Sequence, residues 1–148
     1  MVKAITYKPK TSLALKSFFS LGMAHNAVVE QVNSYIKTTG LNPIQFAIID
    51  ILGHKGALKI SEIYAQMLIK SGNKTMILDS LEKKELVKRV YSKNDRREII
   101  IELTATGEKF FNQNNKAYSE FIEQTMSILS QADQKALIAL LCKIYDGE

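Results

Sequence analysis

Six segments of the chain carry apolar residues at helical spacing, with capping residues in front of several of them. Asn42-Pro43 provides a cap and a first-turn proline for the second segment, and Ser130-x-x-Asp133 resembles a capping box for the last. The first helix would span roughly 40 Å at about 1.5 Å per residue, which is longer than a small core requires. Residues 1–10 are predicted to be an irregular arm. The predicted helices cover residues 12–38, 42 to an end near 53–56, 61–68, 72–84, 105–129 and 130–145.

Strand-like alternation replaces the helical period between residues 87 and 103. An apolar-basic strand, residues 87–92, is followed by a polar tip, residues 93–96, and by a second strand, residues 97–103. Two such strands joined by a polar loop predict a β-hairpin. We expect residues 57–59 to pair with this hairpin as a short third strand, and Thr104 to cap the helix that follows.

The order of these elements predicts a mainly α fold with a small β-wing. Residues 61–84 form two short helices joined by a tight turn, and the hairpin follows the second helix directly. Together they indicate a winged helix-turn-helix flanked by long helices. The residues expected to face the core are Phe46, Ile48, Ile49, Leu52, Ile63, Met67, Ile77, Leu78 and Leu81.

The positive charge of the chain is concentrated in the same region. The 148 residues contain 20 Lys and Arg and 15 Asp and Glu, which gives a net charge of +5. Residues 69–97 hold nine of the basic and four of the acidic side chains, so the rest of the chain is neutral. A positive field on a hairpin beside a candidate recognition helix indicates a polyanionic partner, and a solvated charged face is the alternative.

The second helix of the helix-turn-helix has small polar residues on the side opposite its apolar face. This face suits a DNA major groove, because Asn can pair with adenine and the methyl groups of Thr and Met can touch thymine. The N–H groups at the helix start also suit a phosphate oxygen. The candidate DNA-binding residues are Ser71, Gly72, Asn73, Lys74, Thr75, Met76 and Ser80 on this helix, and Lys88, Lys93, Asp95, Arg96 and Arg97 on the hairpin.

The long terminal helices, residues 12–38 and 105–146, have more apolar surface than one protomer can cover. We therefore expect them to form the homodimer interface of a single 148-residue protomer. The one cysteine, Cys142, lies among apolar residues of the last helix and is expected to be a buried structural thiol.

Other function classes find little support in the sequence. There is no run of eighteen apolar residues and no signal-peptide pattern, so we expect a cytoplasmic protein that does not enter a membrane. No nucleophile-base arrangement or glycine-rich phosphate loop is present, so neither an enzyme nor a cofactor is expected. Asp50 and His54 lack a third strong ligand for a metal. His25, Phe46 and His54 could line a ligand pocket between helices, or have ordinary core and surface roles.

The run from Leu41 to Gly107, within a DNA-binding region of residues 41–109, resembles the multiple-antibiotic-resistance regulators, the MarR family. The matching stretches are Leu41-Asn42-Pro43-x-Gln45-Phe46, Leu81-Glu82-Lys83-Lys84-x-Leu86-Val87, Asp95-x-Arg97 and Leu103-Thr104-x-x-Gly107. The resemblance implies a homodimeric transcription factor, usually a repressor. It would bind a pseudo-palindromic operator in double-stranded DNA through major-groove helices and minor-groove wings.

The same resemblance implies roles for the wing and for a ligand. In the family the Asp of the wing motif holds the Arg in place, and basic wing residues reach the minor groove. Asp95, Arg96 and Arg97 take those positions here. A small effector, often aromatic or phenolic, commonly releases such regulators from DNA.

The chain departs from the family pattern at three positions. Glu85 replaces a glycine, Tyr64 a small residue between the two short helices, and Lys74 an apolar core residue. A left-handed helix end at Glu85 would cost on the order of 1 kcal/mol. The competing interpretation of the whole chain is a winged-helix module that binds protein and has no specific affinity for DNA.

Overall fold

A computed structural model describes residues 7–67, 74–91 and 98–147 of the protein. The prediction of a mainly α fold with a small β-wing is confirmed. None of the helices in these ranges is both long and apolar enough to cross a membrane. The elements in chain order are α1 (Pro9–Thr38), α2 (Pro43–Lys55), β1 (Leu58–Lys59), α3 (Ile60–Gln66), α4 (Lys74–Lys83), β2 (Val87–Tyr91), β3 (Ile99–Leu103), α5 (Ala105–Met126) and α6 (Gln131–Tyr145).

Three helix boundaries differ from the prediction by two residues or more. Helix α3 ends at Gln66 instead of residue 68. Helix α1 begins at Pro9, so Pro9 and Lys10 belong to the helix and not to an irregular arm. Proline is favoured at the first helical position, where its missing N–H needs no partner. Helix α5 ends at Met126 instead of residue 129, and a short turn leads from there to α6.

The predicted caps fix where three of the helices begin. Asn42 accepts hydrogen bonds from the N–H groups of Ile44 and Gln45 at 3.0 and 2.9 Å, and the Gln45 side chain accepts in return from the Asn42 N–H. The Thr104 hydroxyl accepts from the Gly107 N–H at 3.0 Å. At the start of α6, Ser130 accepts from the N–H of Asp133 and donates to its carboxylate, which differs from a reciprocal capping box.

The three strands form one antiparallel sheet in the order β1-β3-β2. Strands β2 and β3, which we call the wing, pair from Val87 opposite Leu103 to Tyr91 opposite Ile99. The predicted third strand is confirmed as β1, in which Leu58 pairs with Ile101. This sheet places the wing directly beside the end of α4.

The core lies between α2, α3, α4 and the sheet. Every residue predicted to face inward is buried except Ile77, which is half-buried and packs against the cluster. Tyr64 is also half-buried against this core, and burial raises the pKa of its phenol. The most deeply buried side chains are Ile48, Ile49, Ile63, Leu78, Leu81 and Ile101.

Helix α4 ends in a left-handed turn at Glu85, the position where the family pattern has glycine. Glu85 has a φ of 56°, the one positive φ outside glycine in the described ranges. Its N–H donates to the carbonyl of Glu82 at 2.8 Å, and the Leu86 N–H donates to the carbonyl of Leu81 at 3.0 Å. This is the pattern of a Schellman motif, in which Leu81 and Leu86 make the accompanying apolar contact.

Replacing Glu85 with glycine is expected to stabilise the protein by about 0.5–1 kcal/mol. The substitution removes the steric cost of a Cβ at positive φ, and the greater entropy of glycine in the unfolded chain offsets part of the gain. Urea denaturation of Glu85→Gly would measure the difference. The matched control is Lys83→Gly at the last residue of α4, which has helical geometry, and this variant should lose stability. A change of the same sign in both variants would contradict the strain at Glu85.

The outer helices keep large apolar side chains in contact with solvent. Helix α1 packs on α5 through Tyr35, whose ring stacks on Phe121 at 4.5 Å between centroids. The first half of α1 and the outer side of α6 have no such cover in the described protomer. Their exposed side chains include Leu13, Phe18, Phe19 and Met23 on α1, and Ile138, Leu140, Ile144 and Tyr145 on α6.

Candidate nucleic-acid interface

Helix α4 is held on one side by the core and is open to solvent on the other. Leu78 and Leu81 are 1% and 0% exposed, whereas Met76 is 66% exposed and Thr75 is also exposed. This difference in exposure arises because the apolar residues Leu78 and Leu81 are three positions apart and so lie on one side of the helix. The structure therefore presents Thr75 and Met76 on an accessible face, as the sequence predicted.

Ser80 lies at the edge of this face and is half-buried. Its hydroxyl oxygen accepts a hydrogen bond of 2.9 Å from the side-chain amide of Gln45, a residue that is 6% exposed. Ser80 is therefore less accessible than Thr75 and Met76 and joins α4 to the start of α2, while its contact with DNA stays a prediction. Sequence reasoning missed Gln45, although a buried amide beside an N-cap is a signal for such a contact.

Arg89 is the second polar residue that fastens α4. The guanidinium donates to Asp79 at 2.8 Å and, through its other terminal nitrogen, to Glu82. The backbone N–H of Arg89 also donates to the Glu82 carboxylate at 3.2 Å. Its charge had been counted toward the field for a polyanion, but two carboxylates of α4 neutralise it.

Lys88 lies on the opposite face of β2 from Arg89, because neighbouring side chains of a strand alternate. Its ammonium group is 2.8 Å from Glu102, and this hydrogen bond raises the pKa of Lys88. Lys88 and Glu102 border an open groove of about 650 Å³ between α2, the wing and α5. The ammonium group of Lys88 has further donors and could also contact a phosphate, but that phosphate would lie close to the Glu102 carboxylate.

The other candidate DNA-binding residues cannot be placed. Lys74 begins α4, but its side chain lies outside the described part of the structure. The remaining candidates fall outside the described residues altogether: Ser71, Gly72, Asn73, Lys93, Asp95, Arg96 and Arg97.

The three candidate ligand-binding residues do not share one pocket within the described protomer. Phe46 is buried and packs edge-on against Tyr118 at 4.8 Å. The small cavity beside Phe46, about 10 Å³, is also bordered by Phe111. His54 packs edge-on against this same ring at 5.1 Å. His25 lies apart from them, in a shallow depression on the first half of α1.

The carboxyl group of Asp50 and the phenol of Tyr118 are electrostatically linked. Burial raises the pKa of Asp50, and its partner His54, 3.5 Å away, opposes the rise. Burial also raises the pKa of Tyr118, to which Asp50 and Tyr35 add. The described residues contain no group of three side chains that could hold a metal ion.

Cys142 differs from its prediction as a buried thiol. It is half-buried, and its sulfur is 3.2 Å from the hydroxyl of Tyr145 on the outer side of α6. The expectation overestimated burial, because the apolar face of α6 has no cover within one protomer.

Comparisons with known proteins agree on one family. The model of the MarR family matches residues 41–99. The HTH-type transcriptional regulator MhqR of Bacillus subtilis (strain 168) is 31% identical over 134 residues, which cover 90% of this chain and 92% of that protein.

Two solved structures show the same fold. Sco3205, a MarR family transcriptional regulator from Streptomyces coelicolor in complex with DNA, is similar with a TM-score of 0.78 at 16% identity, over 99% of this chain and 92% of that one. NadR in complex with 4-hydroxyphenylacetate is similar with a TM-score of 0.69 at 25% identity, over 97% of each chain. With a relative at 31% identity across nearly its whole length and a winged helix-turn-helix between long helices, this chain belongs to the MarR family.

Proposed function

We propose that the protein is a homodimeric transcriptional repressor that binds a specific double-stranded operator and is released from it by a small aromatic ligand. Helix α4 enters the major groove and the wing lies along the adjacent minor groove. The proposed role is regulatory and not catalytic, and its contact with chromosomal DNA would require a cytoplasmic location.

The observation that carries this proposal is the two-sided character of α4. A recognition helix needs a fixed orientation and an accessible face. Leu78 and Leu81 anchor α4 in the core, while Thr75 and Met76 remain exposed at its first turns. Their methyl groups suit the C5-methyl group of thymine. The complex of Sco3205 with DNA supports the same use of the fold.

The wing residues retain their predicted roles. Arg96 or Arg97 enters a narrow A·T-rich minor groove, where the negative potential is concentrated. Asp95 orients Arg97, and Lys93 contacts phosphate. Replacing Asp95 with alanine is therefore expected to weaken operator binding although it removes a negative charge. Titrations at two salt concentrations would check this, and tighter binding at both would exclude the orienting role.

A homodimer accounts for the uncovered apolar faces of α1 and α6. Two-fold symmetry places two copies of α4 against half-sites about 34–36 Å apart, which matches a pseudo-palindromic operator. The residues we assign to the interface are 12–38 and 105–146, and those assigned to DNA binding are 41–109.

Release by an aromatic or phenolic ligand rests on two supports. The first is the open groove of about 650 Å³ that is bordered by Phe111, whose ring also packs against His54. The second is the binding of 4-hydroxyphenylacetate by the similar NadR. Such a ligand must bind the DNA-incompetent state more tightly than the DNA-bound state.

Selection of bound sequences from random DNA tests the proposal. We expect one pseudo-palindromic sequence to be enriched, with an affinity that falls steeply as salt rises. The same assay with a panel of aromatic acids and phenols tests the ligand. A protein module would enrich no sequence, and an affinity unchanged by the whole panel would exclude release by this class of ligand.

A further inference from the structure

We infer that Arg89 is a positioning residue that couples the orientation of α4 to the wing, and so determines how strongly the protein distinguishes its operator from other DNA. The inference rests on the proposed function. It assigns Arg89 no contact with DNA. Its role is instead to hold α4 at one angle to β2, the first strand of the wing.

The contacts of Arg89 connect two elements at fixed positions. Asp79 and Glu82 are three residues apart and therefore lie on one side of α4, where a single guanidinium reaches both. The planar fork of arginine binds two carboxylates with defined geometry, which a point charge cannot do. On the strand side, Arg89 pairs with Ile101, whose side chain is fully buried in the core. Arg89 thus links the exposed side of α4 to the most buried part of the sheet.

A second contact makes this arrangement directional. Ser80 follows Asp79 in sequence and is held from the α2 side by Gln45 at 2.9 Å. Gln45 is itself fixed by the cap at Asn42, whose N–H donates to it at 3.1 Å. Polar contacts therefore bind α4 from two neighbouring elements. A rotation of α4 about its axis would break both, whereas the apolar contacts of Leu78 and Leu81 alone are not directional.

Burial argues against a direct role of Arg89 at phosphate. The Arg89 side chain is 27% exposed, less than either of its carboxylate partners. The guanidinium donates to Asp79 and Glu82, and a phosphate at its other N–H groups would lie against both carboxylates. The contribution of Arg89 to recognition must then pass through the position of α4.

The carboxylates allow a test in which two explanations predict opposite signs. If charge alone mattered, removing Asp79 and Glu82 beside the DNA would tighten binding to every sequence. If the clamp positions α4, the isosteric variant Asp79→Asn/Glu82→Gln should bind the selected operator less tightly, because neutral amides hold the guanidinium more weakly.

The experiment measures affinity for the selected operator and for random-sequence DNA at two salt concentrations. For Asp79→Asn/Glu82→Gln and for Arg89→Met we expect the ratio of the two affinities to fall about tenfold, the effect of losing the discrimination of one base pair. For Arg89→Lys we expect a ratio between those of these variants and that of the original protein. Lys10→Met, which removes one exposed positive charge at the start of α1 and outside the segments assigned to DNA binding and to the interface, is the matched control and should keep the ratio. A loss of folded protein would lower both affinities equally and leave the ratio unchanged.

Two results would overturn the inference while leaving the proposed function intact. The first is tighter operator binding by Asp79→Asn/Glu82→Gln. The second is a parallel loss of both affinities in Arg89→Met with a salt slope lower by about one unit, which marks a lost phosphate contact. If the original protein itself prefers no sequence, the proposed function fails and the inference fails with it.

Discussion

Replacing Gly107 with alanine is expected to destabilise the fold by about 3 kcal/mol or more. A Cβ at Gly107 would stand 1.9 Å from the carbonyl oxygen of Leu86 and 2.9 Å from its carbonyl carbon. The obstacle is backbone, which cannot rotate away as a side chain would. The same carbonyl accepts the Thr104 N–H at 3.1 Å, and the Thr104 hydroxyl donates to the carbonyl of Glu85. Relief of the clash would therefore break the hydrogen bonds that join α5 to the end of α4.

Urea denaturation at one protomer concentration would measure this loss, since dimerisation makes apparent stability depend on concentration. Gly22→Ala is the matched control. Gly22 lies within α1, and a Cβ there meets no atom within 4 Å in the described protomer. Alanine at this helical position should raise stability by about 0.5–1 kcal/mol. A Gly107→Ala variant as stable as the original protein would show that the first turn of α5 does not lie against the Leu86 carbonyl.

Replacing Leu140 with glutamate is expected to convert the dimer into a monomer at micromolar concentration. Leu140 is 59% exposed in the protomer, next to Ile144 on the same side of α6. In a two-fold interface each substitution occurs twice, so two unpaired carboxylates would be buried, at a cost of several kcal/mol each. The monomer would lose the paired half-site geometry, and operator affinity should fall by about a hundredfold or more.

Sedimentation velocity and operator titration would check both parts of this expectation. The control is Gln131→Glu, which adds the same charge in the first turn of α6, where a carboxylate favours the helix dipole. It should remain dimeric. A dimeric Leu140→Glu protein would show that α6 does not form the interface through this face.

Much of the fold was predictable because periodicity and capping are local properties of the sequence. Asn42 and Thr104 began their helices as predicted, and the alternation of residues 97–103 identified β3. The left-handed conformation of Glu85 agrees with the family pattern, which has a glycine at this position. Proline at the first helical position was the local signal underestimated at Pro9.

The candidate site was less predictable because its contacts join residues distant in sequence. Counting charges assigned Arg89 and Lys88 to the field of the wing, but each has an acidic partner that the fold brings within 2.8 Å. Ser80 was assigned by helical position, whereas its partner Gln45 lies 35 residues away. The charge count therefore overestimated the positive field that Arg89 and Lys88 contribute.

The close contact at Gly107 also affects how a dimer would respond to a ligand. Helix α5 belongs to the proposed interface. Its first turn packs tightly against Glu85 and Leu86, the residues that follow α4. A tilt of α5 would therefore shift the end of α4 as well, because the contact at Gly107 joins the two helices. In the dimer, a small change in the angle between the two α5 helices would alter the distance between the two copies of α4. The distance between half-sites that the protein accepts is then set at the interface, far from any base.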